Sequence, residues 1–251
     1  MVLVLLTALG VGAATVAGAL LGFIFKKTTH KFSDTVLSFA AGVMLAAAVL
    51  GLIIPSLELG GKYGIITTVL GIFAGAVFIG VLDRAVPHLH KLATADDTEK
   101  HKNRDINRVL LFVSAIAIHN LPEGIAAGVG FGTDDVTGAI FIALGIALQN
   151  LPEGMVIVAP MLSIGIKPGR AFLIAAATGL VEVVGTLIGY FAASISAAIL
   201  PFALAAAGGC MLYVISDEMI PETHAHGHEK GATYALLFGF ALMLAMDFLL
   251  G

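Results

Sequence analysis

Cysteine is almost absent: Cys210 stands alone among 251 residues. No disulfide can form within the chain, and no cysteine-cluster zinc site can be built. Because Cys210 lies in an apolar run, it reads as a small buried residue. Charge is scarce as well, at 12% of residues where a soluble domain carries about a quarter. No basic stripe is interleaved with aromatics, so nothing supports nucleic-acid binding. No Gly-x-x-x-x-Gly-Lys-Ser/Thr loop offers a nucleotide site. His-Glu-x-x-His, expected of a zinc peptidase, is missing from the apolar runs, as are the Glu-x-x-His pairs of di-iron bundles. These absences weaken an enzymatic reading and call for no prosthetic group.

Apolar residues fill the space that charge leaves. They make up 59% of the chain, with a mean hydropathy of +1.01. One ordinary core cannot hide that surplus, so the bilayer has to solvate it. A spanning helix needs about 20 mostly apolar residues. Runs of this kind cover approximately 2–25, 33–56, 64–86, 107–130, 136–163, 170–192, 195–220 and 233–250. They predict an all-α bundle of about eight transmembrane helices, a single transporter-like domain over 1–251 in the cell (inner or plasma) membrane. The first run has no Lys or Arg within it; Lys26, Lys27 and Lys31 follow it. That pattern suits a retained helix better than a cleaved signal. With both termini outside, all of the 13 basic residues except Lys62 fall in inner loops, as the positive-inside rule requires. A polar stretch at about 88–106 is the longest inner loop. Another inner loop carries His224, His226 and His228, either a metal-handling segment at the inner mouth or a plain solvated one.

One hexapeptide occurs twice. His119-Asn120-Leu121-Pro122-Glu123-Gly124 recurs thirty residues on as Gln149-Asn150-Leu151-Pro152-Glu153-Gly154, each deep inside an apolar run. Ionisable residues at such depth are costly and face a protein interior or a water-filled cavity. Positions four apart share a helix face, roughly 6 Å apart along the axis. His119 therefore projects with Glu123, and Gln149 with Glu153. Asn120 and Asn150, three residues before each glutamate, share the adjoining face, so each glutamate can serve two faces. Pro122 and Pro152 remove an amide donor each and are expected to kink and widen the bundle. Gly124 and Gly154 permit close approach of neighbouring helices.

Glu182 is a third acid inside an apolar run, and Met44 is a thioether in the second run. Imidazole, carboxylate, amide oxygen and thioether suit Zn²⁺, Fe²⁺, Mn²⁺ or Cd²⁺ better than Ca²⁺ or Mg²⁺. Three glutamates in one desolvated cavity cannot all stay ionised without cations to balance them. Metal entry would displace the protons they otherwise hold. The candidate ligands are therefore Met44, His119, Asn120, Glu123, Gln149, Asn150, Glu153 and Glu182. Two alternatives to transport stay open: an intramembrane metalloenzyme and a cation channel.

The paired His-Asn-x-Pro-Glu-Gly and Gln-Asn-x-Pro-Glu-Gly motifs resemble those of the ZIP (Zrt/Irt-like) metal transporters, particularly the GufA-type branch. The resemblance covers the whole chain and includes Ser216-Asp217-Glu218-Met219-Ile220-Pro221-Glu222-Thr223-His224 closing the seventh run. It implies uptake of a divalent metal, zinc foremost, into the cytoplasm by an elevator-like movement of one helix bundle against another, in a chain that is often dimeric. It also implies a binuclear centre. One site would use Met44, His119, Glu123, Gln149 and Glu153; the other would use Asn120, Glu123, Asn150, Glu153 and Glu182. Some family members carry an acid where this chain has Asn150, and some a histidine where it has Asp217. By the same resemblance Glu58 and Asp247 line the outer entrance.

Overall fold

The computed structural model describes residues 1–24, 29–93, 102–133, 135–195 and 198–250. Every regular element among them is helical, and eight long helices follow the eight apolar runs in order. They are α1 (Val2–Ile24), α2 (His30–Leu59), α3 (Gly64–Ala93), α4 (Lys102–Gly130), α5 (Val136–Ser163), α6 (Pro168–Ile195), α7 (Leu200–Thr223) and α8 (Glu229–Leu250). At 1.5 Å per residue even the shortest exceeds the roughly 30 Å of hydrocarbon it must cross. Seven stretches among the described residues are long and apolar enough to span a membrane. The remaining long helix, α4, packs along α6.

Two boundaries differ from the sequence reading for physical reasons. The polar stretch at 88–106 is partly helical: α3 continues to Ala93 and α4 begins at Lys102, with 94–101 outside the described residues. Leaving the bilayer ends an apolar run, but charged residues propagate the hydrogen-bonded backbone perfectly well. The break placed at 192–195 falls later, with α6 ending at Ile195 and α7 opening at Leu200. Pro201 sits in the first turn of α7, where a missing N–H is no loss.

The helices sort into two groups by packing. In the first, α4 lies against α6, α5 against α1, and α1 also against α6. In the second, α3 lies against α7 and α2 against α8, while α2–α5 and α4–α7 contacts join the groups. Within each group backbones nearly touch. A Cβ on Gly12 would stand 2.6 Å from the Gly179 carbonyl oxygen, and one on Gly179 equally close to that of Gly12. Across the seam the glycines meet side chains instead: Cβ atoms built on Gly51 and Gly145 would first strike Ile142 Cγ1 and Met243 Cε. Such small-residue contacts are how helices associate where lipid removes any hydrophobic drive. The outer faces are correspondingly apolar. Phe73, Leu173, Leu180, Phe191, Phe238 and Phe248 are each more than half exposed, a surface only lipid solvates comfortably.

Two wide π-helical segments interrupt the second group, Ala47–Ile53 in α2 and Ile215–Met219 in α7. Each is followed two residues later by a proline, Pro55 and Pro221. A proline inside a helix clashes with the carbonyl four residues back, and a widened turn is one way to absorb it. Pro122 and Pro152 behave differently. The α-helix runs unbroken through both, so the widening expected at the motif prolines lies elsewhere, in α2 and α7.

Candidate metal centre

All three carboxylates of the candidate site belong to the first group: Glu123 on α4, Glu153 on α5 and Glu182 on α6. Glu123 and Glu182 are fully buried and Glu153 is 7% exposed. They stand close enough to repel, Glu123 facing the charges of both Glu153 and Glu182. The two repeats and Glu182 thus bring acids from three helices into one desolvated region, and the close packing of Gly124 and Gly154 explains how. A Cβ on Gly124 would collide with the Glu182 carbonyl, and one on Gly154 with that of Thr15.

A chain of hydrogen bonds fixes these acids. Gln149 donates from Nε2 to Glu123 Oε1 at 2.7 Å. Asn150 Nδ2 donates to Glu182 Oε2 at 2.6 Å and to the Val11 carbonyl at 3.2 Å. Thr15 Oγ1 donates to Glu182 Oε1 at 2.7 Å, and Asn120 Nδ2 to the Thr178 carbonyl at 3.1 Å. The carbonyls of Val11 and Thr178 can only accept, which dictates that the amide nitrogens turn toward them. Each amide therefore spends its donor on a backbone carbonyl or a site carboxylate and leaves its oxygen without a donor.

What is left behind is a set of four acceptors. Asn120 Oδ1, Glu123 Oε2, Gln149 Oε1 and Asn150 Oδ1 are buried and have no hydrogen-bond partner. A buried polar atom left unsatisfied costs about 1–3 kcal/mol, and natural proteins show few. Four from two copies of one motif, all oxygens and all beside mutually repelling carboxylates, call for a positive charge. Among the described residues no three His, Cys, Asp or Glu side chains alone are placed to hold a metal, so amide oxygens are a necessary part of any such centre here.

His119 takes another direction. Its Nε2 lies 2.6 Å from Glu218 Oε1 on the π-helical turn of α7, across the seam between the groups. Together with Glu153, Asp217 and Glu222 these two residues line a cavity of about 400 Å³. The exposed Asp217 and Glu222 stand at the end of α7 that leads into the His224–His228 loop, the side the basic residues assign to the cytoplasm. Met44 is buried in the apolar core with Ala126, Ala127 and Ile146. The structure thus ties Gln149 to Glu123 and Asn150 to Glu182, and places His119 and Glu153 on the cavity.

Sequence reasoning passed over Glu218 and Thr15. Glu218 had a visible signal, an acid three residues ahead of a proline near the end of an apolar run. Thr15 had only its place among the small residues of α1, and the backbone acceptors Val11 and Thr178 had none.

Comparison with known proteins follows the same line. A family model described as ZIP Zinc transporter matches residues 88–247. The chain is 39% identical over 253 residues to "Zinc transporter GufA" of Myxococcus xanthus, covering 98% of each. It is 39% identical to "Zinc transporter ZIPB" of Bordetella bronchiseptica, over 95% of this chain and 78% of that one. It is 32% identical to "Zinc transporter ZupT" of Chlorobium chlorochromatii, over 92% and 91% respectively. With the repeated motif, the eight helices and similarity along nearly its whole length, this chain belongs to the ZIP zinc transporter family.

Proposed function

We propose that the protein carries divalent transition-metal ions, zinc first among them, across the membrane into the cytoplasm. The observation that carries this reading is the group of four buried, partnerless oxygens beside three carboxylates. Asn120, Glu123, Asn150 and Glu182, with Glu153 between, form one ligand set. His119, Gln149 and Glu153, with Glu123 shared and Met44 from α2, form the other. The names of the relatives favour zinc, and the borderline-soft imidazole and amide–carboxylate donors accept it.

Transport needs no nucleotide. A membrane potential negative inside supplies about 4.6 kcal/mol per 100 mV to a divalent cation, since each charge is worth about 2.3. Release uses the cavity: an ion moving from Glu123 toward Glu153 meets His119, whose partner Glu218 lies on the other helix group. The backbone-to-backbone packing within each group and the side-chain contacts across the seam suit one bundle sliding against the other, carrying the carboxylates with it.

Zinc uptake into proteoliposomes tests the reading. Wild-type protein is expected to load zinc, with Glu123→Ala and Glu153→Ala reduced more than tenfold. Equal flux in all three proteins refutes it.

A further inference from the structure

Building on the metal-carrying reading above, on which this inference depends, we propose that Thr15 is a positioning residue of the metal centre. It lies on α1, a helix that supplies no ligand to either set. Its hydroxyl fixes the Glu182 carboxylate and so sets how tightly the centre holds an ion.

A threonine within a helix ordinarily bonds its own backbone three or four residues back. Thr178, Thr186 and Thr223 all do so, donating to the carbonyls of Ala175, Glu182 and Met219. Thr15 breaks the pattern. The carbonyl four residues before it is that of Val11, which accepts from Asn150 Nδ2 at 3.2 Å. The Thr15 hydroxyl donates instead to Glu182 Oε1 at 2.7 Å. One turn of α1 therefore engages both Asn150 and Glu182, the acceptor below and the donor above.

Glu182 is held at both oxygens, Oε1 by Thr15 and Oε2 by Asn150 at 2.6 Å. Donors on both oxygens fix the carboxylate about its terminal torsion, and each oxygen keeps a lone pair for an ion. Thr15 is 1% exposed and Glu182 fully buried, so bulk water does not replace a lost donor. Close packing holds the hydroxyl in place. A Cβ on Gly12 would stand 2.6 Å from the Gly179 carbonyl oxygen, and one on Gly154 would strike the Thr15 carbonyl. α1 is thus pressed against α6 just before Thr15 and against α5 at Thr15 itself. Because these three helices belong to one group, sliding of the groups leaves the bond intact. Thr15 therefore bears on affinity and not on the movement.

Zinc uptake by the full-length protein in proteoliposomes, followed against zinc concentration, separates the two. Removing a partner that orients a metal ligand weakens binding about 10–100-fold. Thr15→Val, which exchanges the hydroxyl for a methyl of similar size, is expected to raise KM by about tenfold or more and to leave the maximal rate per mole of reconstituted protein unchanged. Thr15→Ser keeps the donor and is expected to keep the wild-type KM. Should the valine protein not fold, Thr15→Ala adds no bulk and carries the same expectation. An unchanged KM without the hydroxyl overturns the role of Thr15, as does a lowered maximal rate at unchanged KM, the mark of a purely structural contact. A serine variant with the raised KM of the valine one overturns it too. Wild-type protein that loads no zinc removes the metal-carrying reading itself, whereas normal wild-type loading with an unchanged valine KM removes the role of Thr15 alone.

Discussion

Replacing Asn150 by Asp changes one atom type and reverses the electrostatics of the centre. In the wild type Nδ2 donates to Glu182 Oε2 at 2.6 Å and to the Val11 carbonyl at 3.2 Å. In Asn150→Asp both contacts become acceptor against acceptor. Two buried hydrogen bonds lost at about 1–3 kcal/mol each give a destabilisation of about 2–6 kcal/mol without metal. A bound dication reverses the sign. One added unit charge about 4 Å from a divalent ion contributes about 8 kcal/mol of gross attraction at an effective dielectric constant of 20. If desolvation and the lost bonds cancel two thirds of that, about 2.7 kcal/mol is left, equivalent to a hundredfold tighter ion. Thermal unfolding in detergent, with chelator and then with saturating zinc, reads both effects. The variant is expected to unfold below wild type in chelator and to show the larger zinc-induced rise. A zinc-induced rise no larger than the wild type's refutes the placement of Asn150 beside the ion.

Gly124→Val should force α4 from α6, because its Cβ collides with the Glu182 carbonyl. Overpacking of this sort costs about 1–3 kcal/mol, so a lower unfolding midpoint and slower zinc uptake are expected. Gly10→Val, with nothing near its Cβ, should leave both unchanged, and equal behaviour of the two variants would count against the packing argument. Acidification should weaken zinc binding, since carboxylates and imidazole bind metal only when deprotonated and protons compete for the same atoms. Zinc titrations at two pH values check the sign: the constant must be weaker at the lower pH, and equal constants contradict it.

Local chemistry made much of the architecture readable. The eight runs match the eight helices because each crossing must supply its own apolar length and satisfy its own backbone. Val136–Ser163 agrees at both ends with the run read at 136–163; most others differ where helices continue past the apolar boundary, and α7 opens later than its run, at Leu200. The repeated Asn-Leu-Pro-Glu-Gly core was equally legible, because an acid in an apolar run has few explanations. The prolines were less so. Pro122 and Pro152 pass through continuous helix, whereas Pro55 and Pro221, outside the repeated hexapeptide, follow the π-helical segments. Whether a proline bends or widens a helix depends on which neighbour can take up the displaced carbonyl, and that neighbour is on another helix.

By itself the sequence determined residence in lipid, the sequence of crossings and the kinds of donor atom offered to a cation. All of these follow from composition within a window of one helix. Only the tertiary structure decided that Thr15 reaches Glu182 across 167 residues, that His119 turns to Glu218 while Gln149 holds Glu123, and that His226 docks on Asp34. Such pairings depend on how closely the glycines let distant helices approach, a distance that no single segment encodes.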